Sequence, residues 1–310
     1  MSDMSNSKEN TRITDFGTKF KNRLAGSFQD WIPQLKGNIQ DIWLNPATHL
    51  IPEDNPVGVA VAAGPSAERN IHLLKDRDLI VACADRAAAT YGHLFRSFYV
   101  GTSDPSPLIA KLYKKMPTPI AVLLSVYSHQ QAVKVLKDRK IPHYYYTPAF
   151  KDDNDEEFKL INKLLLTLTE TPLMYGVSDS GSLAFRILVG LGCRVIGLVG
   201  LDYSEPYERP IEKWSLYPAY RAWMEAHNIE DIERMKQMMN VRRYTHPIYG
   251  NDYVTDVSWD SYRGKFLTLL EIAKKQGIKT INCSEGGSLY TEWLPCQKLE
   301  VFLKEQLPSS

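Results

Sequence analysis

Short apolar runs alternate with longer amphipathic segments along most of this chain. Residues 57–63 are small or β-branched and apolar, a composition typical of a strand that is buried on both faces. Similar runs predict further strands at 78–84, 98–101, 120–124, 143–146, 194–200 and 280–283. The segments between them predict helices at 67–74, 128–137, 180–191, 265–275 and 299–307, and one that ends near residue 168.

Strands that alternate with helices at this spacing predict an α/β fold. We expect a Rossmann-like, mostly parallel sheet with helices on both faces, contained in an α/β domain at 56–290. Residues 1–55 are expected to form a polar tail and a helical lead-in, and residues 291–310 a C-terminal helix. The aromatic spacing between residues 16 and 43 predicts one or two amphipathic helices that are broken at Pro33 and Gly37.

The alternation stops between residues 203 and 262. This stretch is rich in tryptophan and tyrosine and poor in β-branched residues. Such a composition favours an inserted, partly helical lid over another unit of the sheet. We place this aromatic-rich insertion at 205–262.

Composition narrows the classes of function. There are 37 Lys and Arg residues against 36 Asp and Glu residues, a formal net charge of +1, so no global basic field favours nucleic acid as a partner. No apolar run reaches the roughly 18–20 residues of a membrane span, and the first ten residues lack the apolar core of a secretory signal. The four cysteines show no C-x-x-C spacing, which favours a reduced, cytoplasmic setting.

The first predicted strand ends in a turn that suits phosphate binding. Gly64 permits a tight turn, Pro65 fixes φ, and Ser66 is a good helix N-cap. A strand, a glycine turn and a helix N-terminus are the device with which many α/β proteins hold phosphate groups. A first βα turn that binds nothing has the same pattern, and both the G-x-G-x-x-G fingerprint and the P-loop lysine are missing. Both interpretations stay open.

Polar residues follow several other predicted strands. Because ligands bind beyond the carboxyl ends of parallel strands, these residues are the candidates for chemistry. They include acids that suit Mg²⁺ and hydroxyls and glycines that suit phosphate oxygens. The candidates are Asp85, Asp104, Ser180, Gly181, Ser182, Asp202, Glu285, Gly286 and Gly287.

Each of these residues also has a structural interpretation, because Asp, Ser and Gly are ordinary residues of turns and caps. Their coincidence at one edge of the sheet favours a binding site. Neither Ser66 nor Ser182 lies in a G-x-S-x-G context, which argues against a hydrolase nucleophile. The pair Arg242 and Arg243 is either solvated or a phosphate clamp.

Four motifs occur in a fixed order: Gly-Pro-Ser after the first strand, Asp-Ser-Gly-Ser before a helix, Gly-Leu-Asp-Tyr-Ser after a strand, and Ser-Glu-Gly-Gly near the end. This set resembles the MptE-like family, named for the archaeal 6-hydroxymethyl-7,8-dihydropterin pyrophosphokinase. Its relatives include the bacterial motility accessory factors, which are thought to transfer nonulosonic acid sugars to flagellin. The resemblance covers roughly residues 56–290 and leaves the N-terminal helices and parts of 205–262 outside it.

The resemblance implies roles for individual residues. Gly64, Pro65 and Ser66 would belong to a nucleotide-binding turn, and residues 285–287 would close the site. Asp104 and Asp202 would be the catalytic acids, and we expect them to hold Mg²⁺ between them.

The implied reaction is the transfer of diphosphate from ATP to a pterin, with release of AMP. Two alternatives stay open: a glycosyltransferase that uses a nucleotide-activated sugar, and a nucleotide-binding or scaffold module without catalysis. The expected partners are a nucleotide and a small acceptor, either a pterin or a sugar or glycan. The sequence also leaves a homo-oligomer open.

Overall fold

The computed structural model describes residues 31–52, 57–149 and 156–307. Its strands form one sheet of eight and a second sheet of three. The larger sheet contains β1 Val57–Val61, β2 Ile80–Ala84, β3 Tyr99–Thr102, β4 Ala121–Ser125, β5 His143–Pro148, β6 Leu173–Met174, β7 Val195–Val199 and β11 Lys279–Asn282. The smaller sheet contains β8 Glu205–Pro206, β9 Arg242–Thr245 and β10 Asp252–Thr255.

Helices connect these strands. The α-helices are α1 at 31–44, α2 Ala67–Asn70, α3 Asp85–Tyr91, α4 Ile109–Lys115, α5 Gln130–Asp138, α6 Glu156–Thr169, α7 Ser180–Gly190, α8 Tyr217–Ala226, α9 Ile232–Met238, α10 Val257–Lys275 and α11 Leu299–Gln306. Short 3-10 helices lie at Ala47–His49, Ile71–Leu74, Gly92–Leu94 and Ile211–Lys213.

The larger sheet has the order β11-β7-β1-β2-β3-β4-β5-β6, and all of its strand pairs are parallel. Every strand predicted for this sheet is present, with ends that move by no more than two residues. The additional strand is β6, whose two residues at the edge of the sheet are too few to give a periodic signal. The predicted Rossmann-like α/β fold is therefore confirmed.

Apolar side chains cover both faces of this sheet. One face packs against α1 to α5 and α11, and the other packs against α7 and α10. In β1, Val57, Val59 and Val61 belong to the first core and Ala60 to the second, and each is buried. This two-sided burial is the reason that the strands have continuous apolar runs.

The predicted breaks in the N-terminal helices are wrong where the structure describes them. Residues 31–44 form one continuous helix. Pro33 lies within this helix, close to the first residue that the structure describes. Gly37 lies against α5, because a Cβ at this position would come within 2.0 Å of the Gln130 side chain. The aromatic positions before Trp31 lie outside the described residues.

The insertion is partly helical and adds no strand to the larger sheet, but it contains a small sheet of its own that was not predicted. β10 pairs antiparallel with β8 and with β9. The strand β9 reads Arg-Arg-Tyr-Thr and is largely exposed, and such polar strands lack the apolar run that indicates a buried strand. The following helix begins at Val257 rather than near Lys265, because the Asp256 carboxylate caps its first turn. The insertion has an apolar core of its own, which includes Trp214, Tyr220, Met224 and Met235.

The four cysteines are free thiols, and Cys83, Cys193 and Cys283 are buried. In the part of the chain that the structure describes, no helix has an apolar stretch long enough to cross a membrane.

Candidate functional site

The strand order reverses direction at β1. After β1 the chain adds β2 to β6 on one side, and then returns through α7 to place β7 on the other side. Such a switch point opens a crevice beyond the carboxyl ends of the two strands, where ligands bind in open α/β sheets. Residues 64–66, here called the Ser66 turn, follow β1 at this point, and Gly200 to Asp202 follow β7.

The Asp202 carboxylate binds the Ser66 turn. Its Oδ2 accepts a hydrogen bond of 2.7 Å from the Ser66 N–H, and its Oδ1 accepts one of 2.5 Å from the Ser66 hydroxyl. Gly64 also donates its N–H to the Gly200 carbonyl at 2.9 Å. A Cβ on Gly64 would come within 2.4 Å of that carbonyl and 2.6 Å of Asp202 Cγ, so the close approach requires glycine.

Burial raises the pKa of Asp202 to about 6, whereas the hydrogen bonds from Ser66 and the charge of Arg69 lower it. The carboxylate is 2% exposed. It lies where the sequence prediction placed a ligand phosphate, against the N–H of Ser66. Ala67 donates its own N–H to the Gly64 carbonyl at 3.1 Å. In this conformation the N–H groups of Gly64, Ser66 and Ala67 are therefore bonded within the protein.

The loop after β11 packs behind Asp202. Ser288 donates its N–H to the Asp202 carbonyl at 2.7 Å. Gly287 has a φ of +81°, and a Cβ there would come within 2.5 Å of Asp202 Cα. Glu285 Oε1 accepts from Asn70 Nδ2 and from the N–H of Leu299, each at 3.0 Å. The structure therefore brings this loop to the predicted edge, where the Glu285 carboxylate links α2 to the start of α11.

Gly286 of the same loop faces the insertion. A Cβ on Gly286 would come within 2.2 Å of the Tyr253 hydroxyl and 2.5 Å of an Arg69 guanidinium nitrogen. The Arg69 guanidinium donates to the Glu285 carbonyl at 2.8 Å. These contacts bring the insertion and the loop after β11 together beside the Ser66 turn.

Asp85 lies at the next strand end. Its Oδ1 accepts from the N–H of Arg86 at 2.7 Å, and its Oδ2 accepts from the Ser180 hydroxyl at 3.0 Å. Burial raises the pKa of Asp85 to about 6, and the nearby charge of Asp104 adds to the rise. The Ser180 hydroxyl also lies 3.4 Å from that of Ser103. Asp85, Ser180 and the loop after β3 thus form one polar group.

The N-terminus of α7 is capped by its own acid. Asp179 accepts from the N–H of Ser182 at 2.9 Å, and the Ser182 hydroxyl accepts from the N–H of Asp179 at 3.2 Å. The N–H of Gly181 also bonds to Asp179, whose pKa is raised by burial. Gly181 and Ser182 therefore lie at the predicted edge with their N–H groups already bonded to a carboxylate.

Asp104 differs from the other acids because it is exposed. It belongs to residues 103–108, here called the Asp104 loop, and its Oδ1 accepts from the N–H of Ser106 at 2.8 Å. Among the described residues no hydrogen bond joins Asp104 to Asp202, and no group of three or more His, Cys, Asp or Glu side chains is arranged to hold a metal ion. The predicted magnesium pair stays a prediction, and the acid that Asp104 influences in this structure is Asp85.

A cleft of about 570 Å³ lies between the Ser66 turn and the insertion. We call it the arginine cleft, because Arg69 and Arg209 both line it. Arg209 lies 3.5 Å from the buried carboxylate of Glu205. Ser66 and two tyrosines of the insertion, Tyr207 and Tyr253, also line this cleft.

Sequence reasoning missed the arginines and tyrosines of this cleft. Arg69 follows Ser66 by three residues on α2, so its spacing from the Gly-Pro-Ser motif could have indicated that it lies beside the turn. Arg209, Tyr207 and Tyr253 carry no local signal, because the folding of the insertion brings them to the turn. Arg242 and Arg243 each form an ion pair, with Asp260 and Asp252 respectively, and neither is among the residues that line this cleft.

The family model described as 6-hydroxymethylpterin diphosphokinase MptE-like matches residues 33–208, more than half of the chain. The chain belongs to the MptE-like family. The searches of curated proteins and of solved structures each gave no significant match.

The MptE-like match begins at residue 33 and therefore includes most of α1, which the motifs had left outside the resemblance. It runs through the Ser66 turn, Asp104 and Asp202 and ends at the start of the insertion. The loop with residues 285–287 lies beyond the matched range, although it packs directly against Asp202.

Proposed function

We propose that this protein is a nucleotide-dependent transferase of the diphosphokinase type. It would transfer diphosphate from ATP to the hydroxymethyl group of 6-hydroxymethyl-7,8-dihydropterin and release AMP. The family description supports the reaction class. The observation that carries the proposal is the arginine cleft, which places two guanidinium groups beside the Ser66 turn at the switch point of the sheet.

In the proposed reaction the pterin hydroxyl oxygen attacks the β-phosphorus of ATP. A bond forms between that oxygen and the β-phosphorus, the bond from the β-phosphorus to the oxygen shared with the α-phosphorus breaks, and AMP leaves. The hydroxyl proton passes to solvent. Such a transfer depends on positioning and charge neutralisation, because it forms no covalent intermediate with the protein.

Four residues of the cleft suit these tasks, and its lining also includes the acids Glu68, Glu208 and Asp252. Arg69 and Arg209 would contact the phosphate oxygens, since a guanidinium binds phosphate with two parallel hydrogen bonds. Tyr207 and Tyr253 would pack against the nucleoside. The bond between Asp202 and Ser66 would hold the turn in place and would not itself contact phosphate.

We assign Mg²⁺ to the substrate MgATP. Magnesium commonly binds through substrate phosphates and one or two carboxylates, so it does not require a complete protein cage. Both oxygens of Asp202 accept bonds from Ser66, so we do not assign the ion to Asp202.

The decisive experiment mixes the protein with ATP, Mg²⁺ and 6-hydroxymethyl-7,8-dihydropterin and measures AMP and the pterin diphosphate by mass spectrometry. We expect AMP to form only when the pterin is present. Arg69→Gln should lower the affinity for ATP by about tenfold, because it removes a charge-assisted contact with phosphate. Arg96→Gln is the matched control, since Arg96 is exposed and pairs with the exposed Asp78 at 3.8 Å. AMP formation that does not depend on the pterin would refute the reaction.

A second candidate is a glycosyltransferase that uses a nucleotide-activated sugar. The observation that favours it is the pair of tyrosines in the insertion, because aromatic rings also pack against sugars. A thermal-shift comparison separates the two, since stabilisation by a CMP-sugar and not by MgATP would favour the glycosyltransferase. The absence of stabilisation by either would favour the scaffold alternative.

A further inference from the structure

A second cleft, of about 500 Å³, lies beside the Asp104 loop. Its walls come from α1, from the Asp104 loop and from the start of α5. We call it the Trp31 cleft. Its volume falls within the range of small-molecule sites, and the family match includes the part of α1 that begins at Pro33.

One wall of the Trp31 cleft is flat and apolar. The Trp31 ring stacks on Tyr127 with centroids 4.8 Å apart and an interplanar angle of 25°, which fixes the orientation of the indole. Pro33, Pro105 and Pro107 line the same cleft. Rigid rings of this kind favour a planar ligand, because aromatic rings prefer offset stacking.

The polar groups of the cleft form a set of one acceptor and several donors. Asp104 Oδ1 accepts from the backbone, while its Oδ2 has no hydrogen-bond partner among the described residues. His129 Nδ1 accepts from the N–H of Gln131 at 3.2 Å, so Nε2 carries the ring proton and can donate. Gln34 Oε1 accepts from the N–H of Gln130 at 3.0 Å, which leaves its amide nitrogen as a donor.

Ser106 adds another donor. Its hydroxyl oxygen accepts from the N–H of Leu108 at 3.2 Å, and its O–H hydrogen is therefore directed elsewhere. A ligand that suits this cleft is flat, donates two N–H bonds to a carboxylate, and accepts bonds at a carbonyl and ring nitrogens. A fused 2-amino-4-oxopyrimidine ring has this pattern, because its amino group and adjacent ring N–H match the two oxygens of a carboxylate.

We propose that the Trp31 cleft binds the 2-amino-4-oxopyrimidine ring of the acceptor, and that Asp104 recognises its amino edge. This assignment rests on the proposed function, in which the acceptor is a pterin. The ends of β1 and β3 are two strand spacings apart, about 10 Å. The ring would therefore lie one strand end away from Asp85, whose carboxylate accepts a hydrogen bond from Ser180.

The test measures binding without turnover. The probe is 6-hydroxymethylpterin, which is fluorescent, titrated with the full-length protein. We expect Asp104→Asn to weaken binding by at least tenfold, because an amide nitrogen then faces an N–H donor of the ring. Trp31→Ala should weaken it by a similar factor through the loss of stacking. Asp138→Asn is the matched control, since Asp138 is an exposed acid whose partner is Lys134, and it should leave binding unchanged.

Further binding measurements distinguish a pterin site in the Trp31 cleft from a site for another ligand. Guanosine has the same ring edge, so tighter binding of guanosine than of the pterin would overturn the acceptor assignment. Failure of the wild-type protein to bind 6-hydroxymethylpterin, or equal binding by wild type, Asp104→Asn and Trp31→Ala, would also overturn it. The affinity for MgATP should stay within twofold of wild type in both variants.

The proposed reaction can fail independently of this cleft. Asp104-dependent pterin binding without AMP formation would support the cleft and refute the diphosphokinase reaction. AMP formation with an unchanged KM for the pterin in Asp104→Asn would support the reaction and overturn the cleft. Circular dichroism of each variant verifies that it is folded.

Discussion

Asp202 and Asp104 both follow a strand of the same parallel sheet, yet they are in opposite environments. Asp202 is 2% exposed, and both of its oxygens accept hydrogen bonds from Ser66. Asp104 is exposed, and a single backbone N–H bonds to one of its oxygens. An acid after a strand thus has no single role in this sheet. The buried acid holds a turn, and the exposed acid is the one available to a ligand.

The difference follows from the neighbours of each strand. β7 lies beside β1 at the centre of the sheet, so the residue after it meets the Ser66 turn and the loop after β11. The Asp104 loop meets Ser180 through Ser103, whereas a cleft lies between Asp104, α1 and the start of α5. The predictions below test this contrast, beginning with the largest effect.

Gly64→Val should have the largest effect on stability. Its side chain would collide with the Gly200 carbonyl and with Asp202, and overpacking of this kind costs about 3 kcal/mol of the free energy of unfolding. Gly190→Ala is the matched control, because a Cβ at Gly190 meets no atom within 4 Å. Urea denaturation of both variants measures the difference. A folded Gly64→Val protein of wild-type stability would show that the turn does not need its close contact with β7.

The effect that the structure predicts for Gly64→Val differs from the effect that the sequence alone predicts. The glycine pattern alone predicts that Gly64→Val loses nucleotide binding while the fold survives. The structure predicts a loss of stability first, so nucleotide affinity measured with this variant would not isolate a phosphate contact. Arg69→Gln is the cleaner variant for that purpose.

Asp202→Ala should cost about 2 kcal/mol of the free energy of unfolding, because it leaves the buried N–H of Ser66 without an acceptor. Asp104→Ala should cost no more than about 0.5 kcal/mol, since water can replace the exposed carboxylate. Denaturation curves recorded side by side give the comparison. Equal losses would mean that the two acids do not differ in structural role.

The fold was largely predictable because buried parallel strands leave continuous apolar runs. Residues 57–61 and 195–199 show this clearly, since they are apolar on both faces of the sheet. The second sheet was missed because Arg242 to Thr245 are polar and exposed. The N-terminal helix was predicted with breaks, because the pattern could not show that Gly37 is small in order to accommodate Gln130.

The sequence predicted that the candidate site lies at the carboxyl ends of the strands, but it did not predict which residues are in contact there. The polar ends of strands indicated where Ser66, Asp85 and Asp202 lie. The bond between Ser66 and Asp202 joins residues 136 positions apart, and it depends on β7 lying next to β1. The periodicity of apolar residues along the chain does not reveal the order of the strands in the sheet. Arg209 and Tyr253 reach the same place only because the insertion folds back over the turn.

The contribution of Asp85 and Asp202 to the stability of the protein should fall as the pH rises through about 6. Burial raises the pKa values of Asp85 and Asp202 to about 6, so the folded state holds protons that the unfolded state has already released. Each such carboxyl contributes a slope of up to about 1.4 kcal/mol per pH unit between its unfolded and folded pKa values. Its stabilising effect is fully present below pH 3.8 and is lost above the folded pKa.

Asp202→Asn removes one of these two contributions while it keeps the shape of the side chain. Its amide can donate to the Ser66 hydroxyl and accept from the Ser66 N–H, as a protonated Asp202 would. Urea denaturation at pH 5, 6 and 7 should therefore give a flatter profile than that of wild type. An unchanged slope would show that Asp202 does not titrate in this range.

The smallest expected effect comes from the hydroxyl of Ser66. Ser66→Ala removes the hydrogen bond to Asp202 Oδ1 but keeps the one from the backbone, so we expect a cost of about 1 kcal/mol at pH 7. The hydroxyl bond lowers the pKa of Asp202, and its loss should raise that pKa further. By linkage the cost is then smaller at pH 5, where the carboxyl is largely protonated in both proteins. Ser106→Ala in the Asp104 loop is the matched control, because the Ser106 hydroxyl accepts from the exposed N–H of Leu108, and it should cost less than about 0.5 kcal/mol at either pH. Equal costs for the two serines, or a larger cost of Ser66→Ala at pH 5 than at pH 7, would refute the view that Asp202 and the Ser66 turn form one titrating unit.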